Sequence, residues 1–308
     1  MQLKRQGLAL VELLAAIVLT SLLAGALFRL VDRSQRFARG AAELADQRAQ
    51  LAVAAFAVET ELQAVAPADG DLLSATDSAV AYLGRVGSAV ACNVGAGTLD
   101  LAPATIASGA AITWWNSSPQ PSDSLLVLDE GGRRDAGDDR WWHAAVSAVH
   151  ALPDACLHTP FLDSIADAGK SGWRLTPSLP LPPTVAAGAP VLVVRPQRFA
   201  LYRSLGEWML GWSEWNAASG AWQGIQPVAG PLLPHASPPG ASGFSLAWRD
   251  SGGAAIAPVP GAPIPGAPVR GVALTLRGAT RRAVRMDGVT AGHHRDSLAR
   301  HIALRNAP

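Results

Sequence analysis

Five carboxylates, Asp129, Glu130, Asp135, Asp138 and Asp139, fall in one glycine-rich stretch, a composition that offers oxygen ligands to calcium. Arg133, Arg134 and Arg140 are interleaved with them, and the positions do not follow the spacing of a calcium-binding loop. The stretch therefore reads as a charge-neutralised loop rather than a metal site. His293 and His294 adjoin, with Asp296 and His301 following. Neighbouring side chains on a strand point to opposite faces, so this pair is expected in a polar loop and not around a metal. Cys92 and Cys156 lack the close spacing of a redox or zinc pair. No G-x-S-x-G, H-E-x-x-H, Walker or dinucleotide signature occurs. The expectation is a protein that is not an enzyme and needs no cofactor.

Two further groups of residues could bind rather than react. Ten tryptophans are present, clustered as "WWNSS" (114–118), "RWWHA" (140–144) and "EWMLGWSEWNAASGAW" (207–222). Within the last run Trp208 and Trp212 share strand parity and Trp215 has the other, which reads as apolar packing on both faces of a sheet. Contacts between subunits are the second reading, since aromatics concentrate in interface cores. Arg277, Arg281, Arg282 and Arg285 form a basic run that reads as a solvated strand face; phosphate binding is the alternative, and with a net charge of +1 no nucleic acid partner is expected.

The residue whose chemistry is hardest to place is Glu12. From Leu8 to Phe28 it is the only charge in an otherwise apolar run, which as a helix would just cross a bilayer core. A carboxylate there costs about 2–3 kcal/mol on insertion scales. Three readings compete. A secretory signal would use Lys4 and Arg5 as its basic start and Ala24-Gly25-Ala26 as its cleavage site, but the run is long for one and a glutamate inside it is out of place. A plain single-span anchor explains the length and leaves Glu12 unexplained. The third is a short basic leader ending in glycine, Met1 to Gly7, followed by an apolar helix with glutamate as its fifth residue: Leu8-Ala9-Leu10-Val11-Glu12.

That third pattern resembles the prepilin-type cleavage and methylation motif of type IV pilins and type II secretion pseudopilins, although Leu8 stands where the family usually has Phe or Met. The resemblance implies cleavage between Gly7 and Leu8 by a prepilin peptidase, N-methylation of Leu8, and an inner-membrane protein with an exported head. It also implies a role for Glu12, pairing with the amino terminus of a neighbouring subunit. A buried charge that gains its partner only in a polymer favours assembly in register. Within an exported chain, the even cysteine count leads us to expect a Cys92–Cys156 disulfide.

Behind the span, Leu30, Phe37, Leu44, Leu51, Val58 and Val65 recur every seven residues, and Pro67 follows the last. The expected organisation is a leader at 1–7, a membrane-spanning half-helix at 8–28, an amphipathic half at 29–66 and a β-rich head at 67–308. Charged residues are only 16% of the chain while Gly and Pro number 30 and 23, which favours a loop-rich β domain for the head. Strands are expected at 123–129, 189–196, 198–205, 243–250, 269–278 and 300–306, with "PVPGAPIPGAPV" (258–269) as a connecting loop. The fold class is α+β, a long helix packed on an antiparallel sheet. The runs "ALYRS", "QPVAGPL", "LAWRDSGG", "VALTLRG" and "ALRN" resemble those of J-like and W-like minor pilins and pseudopilins. This implies a structural subunit at the tip or initiation complex of a filament, whose partners are the peptidase, other pilin or pseudopilin subunits and membrane lipid. The alternatives are a DNA-uptake or adhesion pilin with a binding head, or a simple membrane-anchored periplasmic domain.

Overall fold

The computed structural model describes residues 3–67, 70–133, 137–157, 159–236, 241–257, 269–284 and 291–304, with side chains from Leu10 onward. Among the described residues one helix, α1 (Leu3–Gln63), precedes fifteen strands. They are β1 (Leu72–Ala75), β2 (Ala79–Val94), β3 (Leu99–Leu101), β4 (Trp114–Trp115) and β5 (Ser124–Asp129). Next come β6 (Arg140–Pro153), β7 (Ser171–Pro177), β8 (Pro190–Ser204), β9 (Glu207–Asn216) and β10 (Ala221–Trp222). The last are β11 (Gln226–Leu232), β12 (Phe244–Arg249), β13 (Ala255–Ile256), β14 (Gly271–Ala279) and β15 (Arg295–Ala303). The class is α+β: a long apolar N-terminal helix on a large antiparallel sheet.

The helix runs 61 residues, about 90 Å, because it contains no proline and only two glycines after the seventh residue. It tightens at its end, where Ala64 N–H donates to the Glu61 carbonyl and Val65 N–H to that of Leu62. It therefore stops three residues short of the expected boundary, ahead of Pro67. The seven-residue stripe is used over only half its length. Leu51, Val58 and Val65 are buried against the sheet, whereas Leu30 and Phe37 stand 64% and 79% exposed.

The sheet face under the helix carries Val80, Tyr82, Phe199, Leu210, Phe244, Leu246, Trp248, Leu274, Leu276 and Ile302, which form one core with Leu51, Ala54, Ala55, Val58 and Leu62. Polar anchors set the helix's height on it. Gln47 Nε2 donates to the Gly278 carbonyl at 2.8 Å, Gly230 N–H donates to Gln50 Oε1, and Arg48 pairs with Asp296.

A second core was not foreseen from the sequence. Strands β2, β3, β7, β6, β5 and β8 pair in that order, and β8 pairs back to β2, so the six close into an antiparallel barrel. Its interior is filled by Val86, Leu99, Leu101, Leu125, Val127, Val146, Leu175, Val191 and Val193. The strands β2 and β8 are shared. Ala79–Gly84 and Gln197–Ser204 belong to the sheet under the helix, and the stretches beyond the β2 bulge at Arg85/Gly87 belong to the barrel.

The two strands expected at 189–196 and 198–205 are thus one, β8. Pro196 does not break it, for a geometric reason. Its partner Leu83 sends its N–H to Asp71 on the other side, so Pro196 occupies a non-hydrogen-bonded pair and its nitrogen faces away from β2. On that far side β5 pairs with Val191 to Val194 and β9 with Gln197 to Ser204, leaving Pro196 opposite the gap where no donor is needed. The last expected strand begins five residues earlier than read, at Arg295, and the proline-rich run at 258–268 lies outside the described residues.

Candidate functional site

The helix half that precedes the head makes up the candidate site. Every residue from Leu10 to Val31 is exposed, and the segment includes an apolar window of mean hydropathy 2.3, long and apolar enough to cross a membrane. Gly7 and Leu8 lie on the backbone of this same helix; their side-chain surroundings are outside the described residues. Glu12 is exposed, and among the described residues no cation forms an ion pair with it. An i+4 row of small residues, Ala16, Thr20 and Ala24, slants away from Glu12, whose own face also carries Leu19 and Leu23 seven and eleven residues on. Thr20 turns its hydroxyl back to the Ala16 carbonyl at 2.7 Å, which keeps that row shallow. Such a strip lets a second helix approach closely in lipid, and it carries the one carboxylate that needs a partner. The opposite side carries Leu10, Leu14, Ile17 and Val18, all exposed.

After the span come Arg29, Arg33, Arg36 and Arg39 against the single carboxylate Asp32, which pairs with Arg36 at 2.6 Å. Among the described residues nothing of the head covers the span, and Arg29, Arg33, Arg36 and Arg39 are exposed.

Cys92 on β2 and Cys156 in the loop after β6 form a disulfide, with their Cα atoms 5.5 Å apart. Closing a loop of this length stabilises by about 4 kcal/mol in the chain-entropy model. The bridge fixes the β6–β7 loop to the barrel wall beside Ala102, Ala155 and Leu162. Asp167 secures the same loop from inside, accepting from Ala107 N–H, Asp163 N–H and Lys170 Nζ, and the Lys170 ammonium lowers its carboxyl pKa.

The other sequence candidates resolve into packing. Asp129 is buried and accepts from Gly131 N–H and Arg140 Nε; donation by the Thr184 hydroxyl is the largest cause holding its pKa low. Asp138 Oδ2 accepts from the N–H groups of Gly132 and Arg133. Glu130 and Asp139 are exposed, and Asp135 is outside the described residues. His293 Nδ1 lies 2.6 Å from the Thr280 carbonyl, and His294 N–H donates to the Thr280 hydroxyl. Among the described residues no three His, Cys, Asp or Glu side chains converge as a metal site. Arg277 donates to the Ser242 carbonyl, while Arg281 and Arg282 lie beside Glu207 and Glu43 and so leave the strand face; Arg285 is not described.

The tryptophans divide between the cores and the surface. Trp248 is buried in the helix core, Trp212 packs against it, and Trp115, Trp142 and Trp173 pack on the barrel core. Trp215 meets Trp222 edge-on across β9 and β10, and the Arg198 guanidinium sits 4.5 Å from the Trp222 ring. Trp114 and Trp141 are exposed.

Sequence reasoning missed a buried ionic seam between the two cores. Arg195 on β8, 2% exposed, donates from Nε to Asp123 Oδ1 at 2.6 Å and from Nη2 to Asp123 Oδ2 at 2.9 Å. Its Nη1 donates to Glu214 Oε2 at 3.0 Å, its Nη2 also reaches the Ser118 carbonyl, and Gln197 Nε2 donates to Glu214 Oε1. Gly84 lies opposite Arg195 on β2, where a Cβ would collide with the Gln197 side chain. Asp123 lies 72 residues from Arg195 and Glu214 lies 19 from it, in three separate runs, and no spacing in the chain announces them. No family model, no curated protein and no solved structure matches this chain.

Proposed function

We propose that this protein is a minor pilin or pseudopilin, made as a prepilin, cut after Gly7, held in the inner membrane by residues 8–28, and built into a type IV pilus or type II secretion pseudopilus. The observation that carries the reading is Glu12. It is the only charge in the span, it sits five residues after a glycine that closes a basic leader, and it heads an i+4 row of small residues, Ala16, Thr20 and Ala24. A carboxylate on a small-residue strip is costly alone and favourable once a neighbouring helix brings a cation to it; the freed amino terminus at Leu8 of an adjacent subunit has the required charge.

A place at the tip of the filament is supported by the head. The barrel joins the sheet at the end of β8 away from the helix span, about 26 Å along the strand from the β8–β9 turn. A module of that size at the far end of a subunit has room above it only where the stack of subunits ends. The test is the N-terminal residue and intact mass of the protein recovered from membranes that contain the prepilin peptidase. A chain starting at Leu8, unmodified or with one methyl group, is expected. An intact Met1 in that setting, or a start at Leu27, refutes the reading.

A further inference from the structure

The β8–β9 hairpin turns on two residues, Leu205 (φ 50) and Gly206 (φ 89), between the paired Ser204 and Glu207. Both backbones are left-handed, as the tight turn of a twisted hairpin requires, and the first position favours Asn, Asp or Gly. Leucine there is awkward for the backbone, and it is also 104% exposed, more than any other large apolar side chain among the described residues of the head. Neither packing nor turn geometry accounts for it.

The location of this tip is set by register. Tyr82, level with Gln197 and Glu214, meets Glu61 of the helix, whereas Gly230, between the β11 partners of Leu210 and Trp208, donates to Gln50. Continuing along β9 from Glu214 past Trp208 to Leu205 therefore moves toward the N-terminal end of the helix. The ion pairs Glu207–Arg281 (3.6 Å) and Glu43–Arg282 (3.7 Å) bind the turn to the helix at that end. The hairpin thus protrudes on the side of the head from which the apolar helix leaves.

Charge is polarised along the same axis. Residues 86–194, the barrel and its loops, hold ten carboxylates and five Lys or Arg, whereas the remainder holds fourteen and twenty. Around the hairpin end Arg203, Arg281 and Arg282, with Arg29, Arg33, Arg36 and Arg39 of the helix, outnumber Asp32, Glu43 and Glu207. The pairs made by Arg281 and Arg282 are long and exposed, so they leave the guanidinium groups open to other anions.

We propose that this end of the head rests on anionic phospholipid headgroups, with Leu205 foremost and the surrounding arginines on the phosphates. The inference rests on the reading of residues 8–28 as a membrane span. The dimensions allow it. Gly40, where α1 meets Val284 of the head, lies about 18 Å along the axis from Phe28, and the headgroup layer occupies about 6 Å of that. An average tilt of about 20° toward the hairpin lowers the off-axis tip further and leaves a gap that extended arginine side chains span. Guanidinium groups suit phosphate oxygens through paired hydrogen bonds, and the acidic barrel is held away from the same surface.

The test uses the full chain in phosphatidylcholine vesicles with and without phosphatidylglycerol, carrying a fluorophore at Leu205→Cys, Leu19→Cys or Ser219→Cys. Ser219 lies in the turn at the opposite end of β9 and reports the background. Lipids with a nitroxide on the headgroup should quench the label at 205 and not at 219, more strongly with phosphatidylglycerol present. Each arginine near an anionic surface shifts the contact equilibrium about fivefold, so replacing both by Arg281→Gln and Arg282→Gln should lower the contact equilibrium constant about twenty-five-fold. Equal quenching at 205 and 219, with the Leu19 label shielded from water, overturns the contact while leaving the span intact. A Leu19 label open to water instead refutes the span, and with it the contact. Quenching at 205 that ignores phosphatidylglycerol overturns the anionic headgroup as the partner.

Discussion

Replacing Arg195 by methionine isolates the ionic seam from the packing around it. Methionine keeps the volume and the unbranched stem and removes only the guanidinium. Arg195 and Asp123 have side chains 3% exposed and Glu214 9%, so water cannot take over the lost hydrogen bonds. Two carboxylates would then be buried with no cation beside them. Removing one partner of a buried pair costs about 3–5 kcal/mol, and the second stranded carboxylate places this case at the upper end. That is a large share of a typical stability of about 5–15 kcal/mol. The measurement is urea unfolding of the full chain in detergent, followed by tryptophan fluorescence, since tryptophans pack on both cores. The companion variant joins Arg195→Met with Asp123→Asn and Glu214→Gln, which removes all three charges. If the loss comes from uncompensated charge, the triple variant recovers most of it, because a neutral replacement of a buried ionic group is often nearly isoenergetic. A loss below about 1 kcal/mol for Arg195→Met would place the seam among the weak surface pairs and refute the reasoning. A triple variant no better than the single one would do so equally.

Two further outcomes follow from the same contacts. Gly84→Ala should cost about 1–3 kcal/mol by forcing Gln197 off Glu214, and much less in a Gln197→Ala background; equal costs in both backgrounds would show that the glycine serves something else. Burial raises the pKa of Glu61 at the helix–sheet contact, so its ionised form opposes folding: stability should rise as pH falls from neutral through its folded pKa, and Glu61→Gln should flatten that slope and raise stability at pH 7. Asp100, with a carboxyl lowered chiefly by Arg174, has the opposite sign; below about pH 4 its contribution is lost, and Asp100→Asn should blunt the acid limb of an unfolding profile.

The local parts of this protein were legible in its residues. An unbroken run without proline announces a long helix, a 21-residue apolar stretch announces a membrane-length segment, and alternation such as Val272, Leu274 and Leu276 announces a strand with one buried face. Each depends on neighbours close in the chain, which is why it could be read there. The disulfide was reachable by counting, since two cysteines permit a single pairing. What the tertiary structure alone decided is non-local. Whether the stripe at Leu30 and Phe37 meets a sheet depends on where the helix first meets the head, which among the described residues is at Gly40. Pro196 looked like a strand boundary because its missing donor was known and the gap beside it was not. The barrel closes by pairing β2 with β8 across a hundred residues, and Arg195 meets Asp123 and Glu214 only after it has closed. Hydrophobic period sets which way a side chain faces on its own strand; which strands become neighbours is set by closing the sheet, and that geometry is written nowhere in the local pattern.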